Sequence, residues 1–252
     1  MKPSTKAILA FSLPLVLLGA LYFVVMYRVT RDRLVGVTEE APLVVEYVRH
    51  DLPLDPLSDY WNGVDSSVIH LWPQNARVPY GTDERDVVVR TAYNDQEIAF
   101  LLQFADSSEN REIAPTGTDA CAVFIGPASS PAAAQMMGQD ATGNIWHWLA
   151  DRDAEQYQRG SDSVSAVVEL VATGPGTQTP LALQTVAGRG DYRAGRWYVV
   201  FKRSLSSQQD DALALSPGTD MIVSFAIWDG AKLEAFAAKS ISILRPLVLR
   251  GS

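Results

Sequence analysis

From residue 87 onward the chain is cut into short apolar runs by turn residues, too closely spaced for helices to alternate with them. The runs are Val87 to Tyr93, Glu97 to Phe104, Asp119 to Ile125, Val164 to Ala172, Arg196 to Lys202, Met221 to Trp228 and Lys239 to Leu249. Between them stand Tyr93-Asn94-Asp95-Gln96, Gly174-Pro175-Gly176, Gly188-Arg189-Gly190 and Ser216-Pro217-Gly218, all sequences that reverse a chain. Short β-rich segments without intervening helices predict an all-β fold, an antiparallel β-sandwich. Gln156 to Gly160 and Ser206 to Leu215 add short helical turns. Residues 34–58 carry Pro42, Pro53 and Pro56 among short apolar pieces, which suits a tether leading into an edge strand. The sandwich domain is thus expected over 59–252.

The N-terminal end differs in kind. Ala7 to Met26 (AILAFSLPLVLLGALYFVVM) is twenty residues without a charge, long enough at about 1.5 Å per residue to cross a ~30 Å hydrocarbon core. No small-x-small cleavage site follows; the run continues into Tyr27 and Arg28. Residues 1–33 are therefore read as an uncleaved, single-pass transmembrane anchor. Lys2 and Lys6 nearly balance Arg28, Arg31 and Arg33, so positive charge does not set the orientation. The short segment ahead of the run favours an inside N-terminus, with the domain on the extracytoplasmic side of the cytoplasmic membrane.

Charge and side-chain inventory exclude much. Residues 1–33 hold five basic groups and one acid, leaving 16 basic and 28 acidic groups beyond them, a net of −12. Such a surface repels a phosphate backbone, so no nucleic-acid partner is expected. The one cysteine, Cys121, excludes an internal disulfide, a Cys-rich zinc site, an iron–sulfur cluster and covalent haem attachment. It lies in the apolar run Ala120 to Ile125 and reads as a buried small hydrophobe. His50, His70 and His147 are scattered, and nucleophile-elbow, phosphate-loop and dinucleotide motifs are missing. His70 and His147 read as structural histidines, and most carboxylates as solvated surface. No catalytic residue is assigned.

Several blocks recur in one order: Asp59-Tyr60-Trp61, Leu71-Trp72-Pro73-Gln74, Glu97 to Leu102 with Asp106, Asp119-Ala120-Cys121-Ala122-Val123, Met137-Gly138, Asn144-Ile145-Trp146-His147-Trp148, and Trp228-Asp229-Gly230 leading to Lys239-Ser240-Ile241-Ser242. Together they resemble the haem b-binding gamma subunit of type II molybdenum enzymes of the dimethyl sulfoxide reductase family, the ethylbenzene dehydrogenase gamma type. The resemblance implies a β-sandwich that holds heme b between a methionine and a lysine. It maps the methionine onto Met137, with Met136 the adjacent alternative, and the lysine onto Lys239. A lysine binds iron only as the neutral amine, a form that burial and coordination favour. With both axial positions filled by protein, the haem would carry electrons rather than bind substrate.

By the same resemblance the chain is a membrane-anchored electron-transfer subunit of the nitrate reductase or nitrite oxidoreductase kind. Its partners would be an iron–sulfur beta subunit and a molybdopterin catalytic alpha subunit. The alternative is a membrane-tethered carbohydrate-binding module without haem, on which Trp61, Trp72, Trp146 and Trp148 would stack against a sugar.

Overall fold

The structure, a computed structural model, describes residues 41–74, 83–112, 117–128, 143–172, 177–207 and 213–251. Among them are thirteen strands and only brief helical turns. One hydrogen-bonded path runs β8-β7-β6-β5-β11-β12-β2-β3-β4-β10-β9. On one side of it stand β5 (Ala120–Pro127), β6 (Gly143–Leu149), β7 (Val167–Ala172), β8 (Gln178–Pro180) and β11 (Met221–Trp228). On the other stand β2 (Ser66–Pro73), β3 (Arg85–Tyr93), β4 (Glu97–Ala105), β9 (Ala187–Arg193) and β10 (Arg196–Ser204), with β12 (Ser240–Ser242) linking the two.

The two leaves lie face to face, so the β-sandwich expectation stands. Trp146 of β6 meets Phe100 of β4 edge-on, with ring centroids 5.7 Å apart, and Trp148 meets Trp197 of β10 at 4.9 Å. Alternation explains the selection: Trp146 and Trp148 point inward with Cys121, Val123, Ile125, Phe225 and Ile227, and all are buried in one core. Cys121 is fully buried and burial pushes its thiol pKa well up, as expected of a packing residue. Close approach of the leaves requires Gly190, where a Cβ would lie 2.3 Å from the Trp148 ring. A buried ion pair also crosses between leaves. Glu169 of β7 accepts from Arg203 of β10 at 3.1 Å, and both side chains are at most 1% exposed.

The pairing is not purely antiparallel. β1 (Leu43–Tyr47) pairs in parallel with both β13 (Arg245–Leu249) and β3. It is therefore flanked on both sides rather than lying at an edge. Since β13 also pairs with β11, the strands β11-β12-β2-β3-β1-β13 close into a ring of hydrogen bonds. The segment that follows β1 covers the outer surface of the second leaf, where Leu52 and Trp61 pack on Ala92, Ala99, Leu101 and Val200.

Other expectations need amendment. The run Lys239 to Leu249 is two strands, because Ser242 to Leu244 oppose only Ser224 and Phe225 of β11 and the extra residue bends the chain. The Ser242 hydroxyl fills the gap by accepting from the Phe225 amide at 2.9 Å. The helical turn near 156–160 lies further upstream, as Ala150–Asp153 and Ala154–Gln158. Within Ser206 to Leu215 the described residues carry no helix. Among the described residues no helix is long and apolar enough to cross a membrane. The apolar run 7–26 lies outside them.

Candidate functional site

A sandwich leaf usually turns one face to the core and the other to water. β5 and β11 depart from this. β11 is buried along its whole length and β5 along nearly all of it, although only alternate residues join the core. Among the remaining residues, Ala122, Phe124, Ser224, Ala226 and Trp228 face away from the core and are still buried, at 8% exposure or less. Register lines up a row across this outer face: His147 stands opposite Ala122, Ala122 opposite Ala226, Ala226 opposite Ile241 and Ile241 opposite Trp72. Its centre is floored by alanines, which leaves a flat apolar surface with larger rings at the sides.

Lys239 enters this face immediately before β12. The chain reaches it through a tight arch from Asp229 to Ala238, in which Leu233 and Phe236 adopt left-handed backbone at φ 56° and 53°. Neither is glycine, so the arch holds local strain. Lys239 is 5% exposed. Its Nζ donates to the Phe236 carbonyl at 3.3 Å, the same oxygen that accepts from Trp228 Nε1 at 3.2 Å, and lies 5.1 Å over the Trp228 ring. Among the described residues no carboxylate pairs with it. Burial pushes its pKa down to about 8, which brings the neutral amine within reach near physiological pH.

His147 is the second polar group of this face. Its ring lies 4.7 Å from that of Trp228, and its Nε2 is buried without a hydrogen-bond partner. Burial, with the charges of Lys239 and Arg152, pushes its pKa down to about 4, so the ring is neutral at pH 7. Ser224 Oγ is likewise buried without a partner. An acid-free amine and two unpartnered polar atoms over an alanine floor fit a flat apolar group bearing a metal and polar edges. Such an arrangement suits a porphyrin.

The sequence-assigned residues fall unevenly. Lys239 is brought into the site; Met136 and Met137 lie outside the described residues. His147 read from sequence as structural, yet the alternation Trp146-His147-Trp148 sends it to the opposite face from its two core neighbours, a signal present in the sequence. His70 is 41% exposed in its side chain and hydrogen-bonds Asp86 at 2.8 Å. Of the tryptophans proposed to stack on sugar, Trp61, Trp146 and Trp148 are at most 2% exposed and offer no ring face to a ligand. Only Trp72 is open, at 38%. Six carboxylates, Asp106, Asp119, Asp153, Glu169, Asp229 and Glu234, are buried, a minority that the expectation of a solvated surface for most did not single out.

Fold and site together define a β-sandwich with a buried lysine on the outer face of one leaf. A model of the family described as Ethylbenzene dehydrogenase matches residues 172–240, the segment that ends one residue past that lysine. A chain of Haloferax mediterranei named as a respiratory nitrate reductase heme subunit is 28% identical over 204 residues, 79% of this chain and 69% of that one. The chlorate reductase subunit gamma of Ideonella dechloratans is 27% identical over 100 residues, 40% of this chain and 36% of that one. These matches bear out the resemblance to haem-binding gamma subunits of molybdoenzymes. Among solved structures, a carbohydrate binding module of family 9 from Caldicellulosiruptor kristjanssonii is similar with a TM-score of 0.47 and 12% identity, covering 84% of this chain and 97% of that one.

Proposed function

We propose that this chain is the electron-transfer subunit of a molybdenum oxidoreductase of the nitrate or chlorate reductase type, carrying one b-type haem. Lys239 would hold the haem iron through its neutral amine, together with Met137 or Met136 beside it. The observation that carries the reading is Lys239 itself: a buried amine with no acid partner among the described residues, beside neutral His147, on an outer face that is nonetheless apolar and buried. The relatives named as heme and gamma subunits support it.

A haem held by two protein ligands exchanges single electrons and offers no position for substrate. This chain's residues then have simple tasks. The alanine floor and Trp228 exclude water, the arch presents the amine, and neutral His147 adds no charge beside it. Electrons would pass to or from an iron–sulfur beta subunit, and the reaction itself would belong to a molybdopterin alpha subunit. Residues 7–26 would hold the chain in the cytoplasmic membrane with the sandwich on its extracytoplasmic side.

The test is the visible and electron paramagnetic resonance spectrum of the full chain purified in detergent with haem, beside Lys239→Ala and Lys239→Arg. The wild type is expected to be low-spin. Both variants should lose that signature, since arginine keeps charge and length but cannot deprotonate to ligate iron. A low-spin spectrum unchanged in Lys239→Arg, or a wild type that takes up no haem, would overturn the assignment.

A further inference from the structure

At one end of the sandwich three buried carboxylates converge from three different segments. Asp106 follows β4, Asp119 precedes β5 and Asp229 follows β11. They are 6%, 0% and 6% exposed, and one oxygen of each lies within 4.8 Å of the others. Two oxygens bound to a single calcium ion at about 2.4 Å can be no more than about 4.8 Å apart, so one ion can bridge the cluster.

Hydrogen bonding divides the three. Asp119 is fully satisfied: Oδ1 accepts from the Gly230 amide at 2.8 Å, and Oδ2 from the Asn110 amide at 2.7 Å and Trp197 Nε1 at 3.0 Å. Those donors hold it in place and offset part of the burial that, with the charge of Asp229, pushes its pKa up. Asp106 uses one oxygen, which accepts from the Ser108 amide at 3.1 Å, and its Oδ2 is buried with no donor. Asp229 pairs one oxygen with Lys232 at 3.1 Å, and its Oδ1 is also buried with no donor. Orphan carboxylate oxygens beside a fixed third carboxylate are costly unless something positive lies between them. Lys232 is directed to Asp83 and Asp229, and Arg85 to Glu234, so neither reaches the two orphan atoms by a hydrogen bond.

We propose that Asp106, Asp119 and Asp229 bind a hard divalent cation of the calcium class through the orphan oxygens of Asp106 and Asp229. All three donors are carboxylate oxygens, without nitrogen or sulfur, which suits calcium and disfavours zinc or copper. The ion would fasten β4 in one leaf to β5 and β11 in the other. It would also fix the start of the arch that delivers Lys239: Asp229 opens it, and Gly230 packs so closely on Gly117 that a Cβ there would lie 2.3 Å from the Gly117 carbonyl oxygen. This inference does not depend on haem.

The structure supplies its own probe. Trp197 donates directly to Asp119, so a terbium ion in the cluster lies within energy-transfer distance of an indole. The full chain, stripped with EDTA, is titrated with terbium under tryptophan excitation, then with calcium as competitor, and melted in calcium and in EDTA. Sensitised emission that calcium displaces is expected, with a higher Tm in calcium. Asp106→Asn should weaken calcium binding at least tenfold and abolish the Tm response, while melting no lower than wild type in EDTA because one repelling charge is gone. Asp229→Asn serves if the first variant does not fold. Equal wild-type melting in calcium and EDTA, with no sensitised emission, would mean that a proton rather than a cation holds the cluster, and would overturn the proposal. Unchanged calcium affinity in either variant would place the ion elsewhere on this acidic chain and overturn it equally.

Discussion

The pair Glu169–Arg203 makes a quantitative demand on the fold. Arg203 donates to Glu169 at 3.1 Å and stacks 5.2 Å from the Trp146 ring, with the Leu213 carbonyl as a further acceptor, while Glu169 Oε2 accepts from the Thr185 amide and hydroxyl at 3.1 and 2.9 Å. Burial already works against the guanidinium, whose pKa is held below its ordinary value. Glu169→Gln preserves shape and an acceptor for Thr185 but leaves the cation uncompensated. Removing one partner of a buried pair costs about 3–5 kcal/mol. For a domain of this size that is on the order of 10 °C in Tm, at about 2–4 °C per kcal/mol. Adding Arg203→Met removes the stranded charge, so the double variant should recover at least about 2 kcal/mol of the loss, a coupling measurable in a double-mutant cycle. Urea unfolding followed by tryptophan fluorescence reads all four proteins, since Trp146, Trp148 and Trp197 sit in the same core. If Glu169→Gln costs under about 1 kcal/mol, or the two changes are additive, the charge is reaching water and the buried-pair argument fails.

Three further outcomes follow from the geometry. Gly190→Ala should lower Tm by several degrees, because the new Cβ meets a Trp148 ring that Asp153 holds through its Nε1 at 3.1 Å, and overpacking typically costs about 1–3 kcal/mol; a melting temperature equal to wild type would show that the ring gives way. His147 is neutral in the fold with a pKa near 4, against an ordinary 6.5, so the unfolded chain takes up the proton first as pH falls. Stability from this group is complete above pH 6.5 and lost progressively down to pH 4, by about 3 kcal/mol in all; urea midpoints of His147→Gln should fall less steeply than wild type across that window, and parallel curves would refute the burial argument. Trp72→Ala should leave haem uptake and the low-spin spectrum unchanged, since the ring is exposed beyond Ile241 at the end of the outer row; a shifted spectrum would extend the site to β2.

Strands that bury both faces were the most legible in the sequence. Met221 to Trp228 matches β11 at both ends, because a run that is apolar but for Ser224, set between Pro217-Gly218 and Asp229, has few other ways to fold. β8 and β9 were not read as strands: Gln178–Pro180 and Ala187–Arg193 carry polar residues, glycine and proline that look like turns until a neighbour pairs with them. The parallel seating of β1 was hidden for another reason, since its register is set by residues about 200 positions away. At the site, Lys239 came from the resemblance, since a single lysine opening an apolar run does not by itself mark a buried amine. The buried carboxylates were unreadable because their burial depends on leaf ends that meet only in three dimensions.

The hydrogen-bonded ring has a consequence for how the protein is made. β1 occupies residues 43–47 and β13 occupies 245–249, so the first described strand can pair with β3 early but waits for the last described strand before it gains its second neighbour. Until then β1 and one end of β11 present unsatisfied backbone groups, the kind of edge that recruits other chains. Contacts this distant in sequence also slow folding. The ring of strands therefore closes only after residue 249 has been synthesised, and a cofactor or partner subunit that requires the finished sandwich joins after that point.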